Sequence, residues 1–243
     1  MQAKTNLVIR NLSLAISGKT VLSNVGIDIR SREIHALMGP NGSGKSSFAY
    51  AIAGHPEYAI TNGSIALGST NLLTLSPEKR AQAGLFLSFQ EPPEVGGVSM
   101  ATFLRMIAPT PEDNTQHTKG ILCQIGLQDS FLSRFLNEGF SGGEKKKSEL
   151  LQLVARKPKF AICDEIDSGL DLDALRSVAN ILRSQTKRGA GLLLISHSPR
   201  LFELIQPDFV HVLLKGKLVA SGGTEVLERL EKAGYKKFEE EYL

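Results

Sequence analysis

Gly39-Pro40-Asn41-Gly42-Ser43-Gly44-Lys45-Ser46 follows a short apolar run, residues 33–38, and leads into a helix-prone segment that Gly54 closes. A strand, a glycine-rich turn and a helix in that order give G-x-x-x-x-G-K-[ST] its chemistry. Glycines let backbone N–H groups close around phosphate oxygens, and the helix adds its positive N-terminal end. Lys45 is placed to reach β- and γ-phosphates, and the Ser46 hydroxyl, followed by Ser47, to ligate Mg²⁺. The stretch therefore predicts a nucleoside triphosphate site at the head of a parallel-sheet strand.

Working outward, three other runs are short, nearly all apolar and without alternation: residues 85–89, 160–163 and 192–195. Strands buried on both faces of a parallel sheet read this way, and helical segments separate them. The first third differs. Residues 7–16 and 25–30 alternate, Ser17-Gly18-Lys19 marks a turn, and Asn62-Gly63 marks another before residues 64–67, so a small antiparallel sheet is expected there. Residues 91–136 are proline-rich and helical in texture without β signals. Residues 209–214 and 217–220 flank Lys215-Gly216 as a hairpin, and the final twenty residues are charged and helix-prone.

The chain ends of two buried runs carry reactive groups. Residues 160–163 run into Asp164-Glu165, where an Asp following a triphosphate loop holds Mg²⁺ and the neighbouring Glu, facing the other way, orients or deprotonates the attacking water. Residues 192–195 run into Ser196-His197, and His197 is placed to contact the γ-phosphate. Gln90 follows residues 85–89 and precedes Glu91-Pro92-Pro93, within reach of metal or water. His35, His55, His117 and His211 have no such setting and are expected to be structural.

Ser141-Gly142-Gly143-Glu144 opens a helix running to about Ala155. A capping box explains Ser141 and Glu144. It does not explain two glycines in a first turn, which cost roughly 1 kcal/mol each relative to alanine. Exposed N–H groups at a helix start bind phosphate. Since residues 39–46 already occupy one triphosphate, this second anion site is expected to serve another nucleotide.

Size and composition fit that picture. The 243 residues suffice for one α/β domain with an insertion, 42% hydrophobic and 22% charged. A net charge of +3 spread along the chain argues against a nucleic-acid binder. Lys145, Lys146 and Lys147 form the one basic run, which reads as a solvated helix face. No stretch reaches the apolar length of a membrane span, and residues 1–10 lack the apolar core of a signal peptide. Cys123 and Cys163 match no metal spacing and read as reduced thiols in a cytoplasmic setting, with Cys163 buried.

In order, residues 39–46, Gln90, residues 141–144, Asp164-Glu165, Ser168-Gly169-Leu170-Asp171 and His197 resemble the Walker A, Q-loop, signature, Walker B, D-loop and H-loop of ABC ATPases. The resemblance spans essentially the whole chain. It implies a P-loop NTPase fold of the α/β class: a mostly parallel core sheet, an N-terminal antiparallel β subdomain and an inserted α-helical subdomain. Residues 1–90 and 156–243 would form the catalytic core and residues 91–155 the helical subdomain. It further implies an ATP-dependent head-to-tail homodimer, each ATP lying between residues 39–46 of one copy and Ser141 and Gly143 of the other.

Residues 89–98, 137–147, 164–171 and 207–213 are worded like the Suf iron–sulfur cluster assembly branch of that family. Its partners are the soluble scaffold subunits SufB and SufD rather than a membrane channel. Ordinary transporter subunits usually carry Gln where Glu144 stands, without the lysine run. Residues 1–47 contain no Phe, Tyr or Trp, so the aromatic that ABC ATPases often stack on adenine is missing there, and Ser31-Arg32-Glu33 replaces the usual Gly-Glu entry to the first core strand. The rival expectation is the ATPase subunit of a membrane transporter. A catalytically dead module is disfavoured by the presence of both Glu165 and His197.

Overall fold

A computed structural model describes residues 5–109 and 115–242, without the side chains of residues 115–117. The elements run β1 (Leu7–Ile16), β2 (Lys19–Ile29), β3 (Ile34–Met38), α1 (Lys45–Ala53), β4 (Ala59–Leu67), β5 (Thr70–Asn71), α2 (Pro77–Ala83) and β6 (Leu85–Ser88). There follow β7 (Val95–Ser99), α3 (Met100–Ile107), α4 (Thr115–Gln124), a 3₁₀ turn (Asp129–Ser133), β8 (Phe135–Leu136) and α5 (Gly142–Arg156). The chain closes with β9 (Phe160–Asp164), α6 (Leu172–Lys187), β10 (Gly191–Ile195), α7 (Pro199–Ile205), β11 (Phe209–Leu214), β12 (Lys217–Gly222) and α8 (Thr224–Tyr242).

The core sheet has the order β12-β11-β3-β10-β9-β6. All its pairings are parallel except β11 with β12, which form the expected hairpin. Every residue of β3, β9 and β10 is buried, which is why those runs showed no alternation. The sheet has an apolar cluster on each face. One joins Leu37, Phe160 and Leu193 to β1, β2 and α1. The other joins Cys163 and Leu192 to α5, α6 and the helical insertion through Met100, Leu104 and Leu150.

The N-terminal sheet has the order β2-β1-β4-β5 and is antiparallel. β1 has the expected bounds, whereas β2 and β4 are longer than the alternation suggested, their register against β1 being shifted along their length. Asn62-Gly63, expected to be a turn, lies inside β4 at one of these irregularities. A Cβ on Gly63 would stand 2.6 Å from Arg10 O and 2.7 Å from Leu12 Cα, with φ at +104°. Glycine therefore serves a close backbone approach here, not a reversal. The insertion is also not free of β structure, because β7 pairs with β8 at its base. Those strands were hidden by glycines at positions 96 and 97 and by the two-residue length of β8.

The lysine run is not a uniformly solvated face. Lys146 is 6% exposed, because residues 146, 150 and 153 share the buried side of α5. His35 and His211 are structural, as expected, but as a bonded pair. His35 Nδ1 lies 2.8 Å from His211 Nε2, His35 Nε2 lies 3.1 Å from Glu33 Oε2, and His211 Nδ1 lies 2.8 Å from Ser221 Oγ. Burial lowers the pKa of both, that of His211 to about 3, while the Glu33 hydrogen bond works against the shift at His35. No helix among the described residues is long and apolar enough to cross a membrane.

The two histidines make stability depend on pH. Between about 3 and the ordinary histidine pKa of about 6.5, the unfolded chain binds protons that the folded chain does not. Their contribution is complete above that window and declines as pH falls through it. Urea melts at pH 7.5 and 5.0 should show a loss of stability that is smaller in His211→Gln, which has no imidazole to protonate, than in the parent.

Candidate functional site

Residues 39–46 link β3 to α1 at the head of the sheet, beside the ends of β9 and β10. A Cβ on Gly39 would stand 2.2 Å from Leu213 O and 2.6 Å from Ser43 Oγ, so the loop folds against β11 only with glycine there. Asn41 and Gly42 are exposed at the loop tip, Pro40 and Gly44 are half-buried, and Ser43 is buried. Lys45 opens α1, with Ser46 and Ser47 in its first turn. Its Nζ donates to Gly39 O at 2.8 Å and Pro40 O at 3.0 Å. Burial lowers the Lys45 pKa, opposed by the carboxylates of Asp164 and Glu165. The loop thus folds its own cation across itself, in position to exchange two carbonyls for phosphate oxygens.

Asp164 ends β9 and is 1% exposed, and neither carboxylate oxygen makes a hydrogen bond of ordinary geometry. Burial raises its pKa; the Ser46 hydroxyl, Lys146 and Lys45 oppose the shift, while Glu165 adds to it. A buried, unpaired carboxylate is expensive. Among the described residues there is no cluster of three His, Cys, Asp or Glu side chains able to hold a metal by themselves. The donor set suits Mg²⁺, which takes one or two protein oxygens and completes its shell with water and phosphate. The residues present therefore fit that ion.

Glu165 is half-buried and has φ of +51°, a left-handed conformation that costs a non-glycine residue about 1 kcal/mol or more. Its N–H donates to Ile195 O at 2.8 Å, tying the end of β9 to the end of β10. The reversal turns its carboxylate toward two partners. Gln90 Nε2 donates to Oε2 at 2.8 Å, and His197 Nε2 lies 3.5 Å from Oε1. Burial lowers the His197 pKa, Lys45 adds to the effect, and Glu165 and Asp167 oppose it. Gln90, Glu165 and His197, expected from separate strand ends, are thus brought together.

Two further polar groups complete this edge. Ser196 Oγ donates to Asp167 Oδ2 at 2.7 Å, and burial raises the Asp167 pKa, with Ser196 opposing. A cavity of about 390 Å³ opens beside them, lined by Glu165, Asp167, Ser168, Leu170, His197 and Arg200.

Ser141 caps α5 as expected. Its Oγ accepts from Glu144 N–H at 3.3 Å, and its own N–H donates to Glu144 Oε2 at 2.8 Å. Arg134, which the sequence reading passed over, donates to the other Glu144 oxygen and lies over the Phe140 ring at 4.3 Å. The Ser141 amide, with Arg134, holds the Glu144 carboxyl below its usual range despite some desolvation. Among the described residues no hydrogen bond links Ser141 or Glu144 to residues 39–47. A Cβ on Gly142 would meet nothing within 4 Å, and one on Gly143 only Leu170 Cδ2 at 3.8 Å. Among the described residues nothing requires these two glycines.

Cys163 is fully buried and its thiol pKa is pushed up by burial, whereas Cys123 is exposed; neither is in a disulfide. His55 stands edge-on to Tyr50 and Tyr58, and the His117 side chain lies outside the described set.

Residues 22–168 match the family model described as ABC transporter. The chain is similar to the "Probable ATP-dependent transporter ycf16" of Guillardia theta, 45% identical with 96% of each chain covered. It is equally similar, at 45% identity, to "Vegetative protein 296" of Bacillus subtilis (strain 168), covering 96% of this chain and 93% of that one. Among solved structures, an ATP-binding subunit of an ABC transporter superposes with a TM-score of 0.80 at 24% identity, covering 97% of this chain and 98% of that one; this likeness concerns the fold.

Exchanging the Asp164 carboxylate for an amide separates fold from ligand. Without nucleotide, Asp164→Asn should melt no lower than the parent, because it removes a charge that burial disfavours and that forms no ion pair among the described residues. The rise in melting temperature that Mg²⁺ and ATP together give the parent should be largely lost, as a thermal-shift titration would register.

Proposed function

Because this chain belongs to the ABC transporter family of ATP-binding proteins, we propose that it is the Mg²⁺-dependent ATPase of a Suf-type iron–sulfur cluster assembly machine. The observation that carries the hydrolytic half is the meeting of Gln90, Glu165 and His197 on one carboxylate beside buried Asp164. The assembly half rests on the wording of residues 89–98, 137–147 and 164–171, with Glu144 and the lysine run in place of a transporter-like signature.

In the proposed mechanism, the backbone of residues 39–46 and the start of α1 hold the triphosphate, and Lys45 transfers from the Gly39 and Pro40 carbonyls to the β- and γ-phosphates. Asp164, Ser46 and Gln90 would hold Mg²⁺, which when bound neutralises charge on the phosphate oxygens. Glu165 orients the water and takes its proton as the oxygen attacks the γ-phosphorus. The bond to the β-γ bridging oxygen breaks, leaving ADP and phosphate. His197, held neutral by burial and by Lys45, donates to the γ-phosphate. Catalysis in this class is positioning plus charge stabilisation, so the geometry is most of what the protein supplies.

Ser141, Gly142, Gly143 and Glu144 serve the nucleotide of a second copy. Two glycines that nothing among the described residues of their own chain requires, at an exposed helix start, support that reading. The chain then works as a transient ATP-dependent homodimer in the cytoplasm, and its load is a SufB/SufD-like scaffold reached through the helical insertion. The names of the curated relatives favour a second reading, the ATPase subunit of a membrane transporter.

Co-expression with the host's SufB/SufD-type proteins tests the load. The expected result is a soluble complex with faster ATP turnover than the lone chain, and loss of iron–sulfur enzyme activity when the gene is deleted. Retention on membranes through a permease, with those enzymes unaffected, would establish the second reading instead. Gly142→Ala tests the dimer. The variant should gain up to about 1 kcal/mol of stability as an isolated chain, yet lose ATP-dependent dimerisation by light scattering and at least tenfold in turnover.

A further inference from the structure

Between α5 and the strand end that carries Gln90 lies a buried polar grip that the mechanism above leaves unused. Glu149 is 2% exposed. Its Oε2 accepts from Phe89 N–H at 3.0 Å and its Oε1 from Gln152 Nε2 at 3.2 Å. β6 stops at Ser88, so the Phe89 amide is beyond the strand ladder and Glu149 supplies the acceptor a neighbouring strand would otherwise have given. From the same helix, Lys146 Nζ donates to Gln90 O at 2.8 Å and lies 3.4 Å from Phe89 O. Three backbone groups of residues 89 and 90, one N–H and two carbonyls, are therefore held from α5. The next group along is the Gln90 side chain, which reaches Glu165.

We propose that Glu149 is a positioning residue for hydrolysis: by holding the Phe89 amide it fixes the backbone that aims Gln90 at Glu165. The proposal rests on the ATPase reading given above. A buried carboxylate is costly to keep where a fold needs only packing. It is retained here on an amide one residue from the side chain that touches the proposed base. Burial raises the Glu149 pKa to about 7, with the Phe89 amide foremost among the groups that oppose the shift, and in either protonation state the side chain keeps an oxygen for that N–H. Lys146 holds the carbonyls of Phe89 and Gln90, in the two peptides that follow, so Gln90 has little freedom to swing unless α5 moves with it.

Steady-state ATP hydrolysis by the full chain, with equilibrium binding of a non-hydrolysable ATP analogue, tests this. Glu149→Ala should lower kcat at least tenfold while KM and analogue affinity stay within threefold, because residues 39–46 touch none of these groups. Glu149→Gln keeps an oxygen for the Phe89 amide and should recover more than half of the lost rate. Lys146→Met should also lower kcat at unchanged analogue affinity. A Glu149→Ala kcat within twofold of the parent, parallel loss of rate and affinity, or a Glu149→Gln no better than alanine would overturn the proposal while leaving the ATPase reading intact. A parent chain that turns over no ATP would overturn that reading and the proposal with it. Should Glu149→Ala fail to fold, Glu149→Gln and Lys146→Met decide: reduced kcat at parent-like affinity supports the proposal, and parent-like rates overturn it.

Discussion

A carboxylate taken almost wholly out of water at the end of β9, with no hydrogen bond of ordinary geometry among the described residues, is the constraint around which this molecule is arranged. Asp164 can be held there only because β9 is flanked by β10 and β6 and covered on both faces, so the strand has nowhere else to go. The cost of that burial is borne by two apolar clusters much larger than the site itself. Lys45 and Lys146 approach from opposite elements and offset part of it without forming an ion pair with it. One residue later the backbone turns left-handed, and the next carboxylate swings out to meet Gln90 and His197. Two adjacent acids thus acquire different surroundings from a single change of backbone direction.

Much of this was legible in the sequence because it is local. Residues 39–46 announce themselves through glycine spacing, and the unbroken apolar texture of residues 160–163 and 192–195 reports burial on two faces. The capping box at Ser141 and Glu144 needs only four residues to be recognised. What escaped is non-local or irregular. The strand shifts of β1 and the bulge at Gly63 blur a period of two, so a turn was read where a strand continues. The pairing of β7 with β8 joins short segments about forty residues apart, and neither has a pattern of its own.

Among the site residues, the strand-end groups were readable because position on a buried strand fixes where a side chain emerges. The supporting groups were not. Lys146 looked like one of three solvated lysines, though its spacing to Leu150 and Leu153 places it on the inward face of α5. Glu149 shares that helix and was not distinguished from surface acids. Arg134 lies in a loop where no period applies, and only the folded chain brings it onto Phe140 and Glu144. Polar residues on an apolar helical face are the signal that could have exposed the first two.

The hydrogen-bonded row from Glu33 through His35 and His211 to Ser221 has a consequence of its own. An ionised carboxylate only accepts, so His35 must carry its proton on Nε2 and offer Nδ1 as a lone pair. His211 must then carry its proton on Nε2, and its Nδ1 receives the hydroxyl proton of Ser221. Every donor in the row points the same way, with both tautomers dictated from one end. An added proton on either ring turns a lone pair into a second N–H facing a donor, and the whole alignment has to reverse or break. The two imidazoles therefore titrate as a coupled pair.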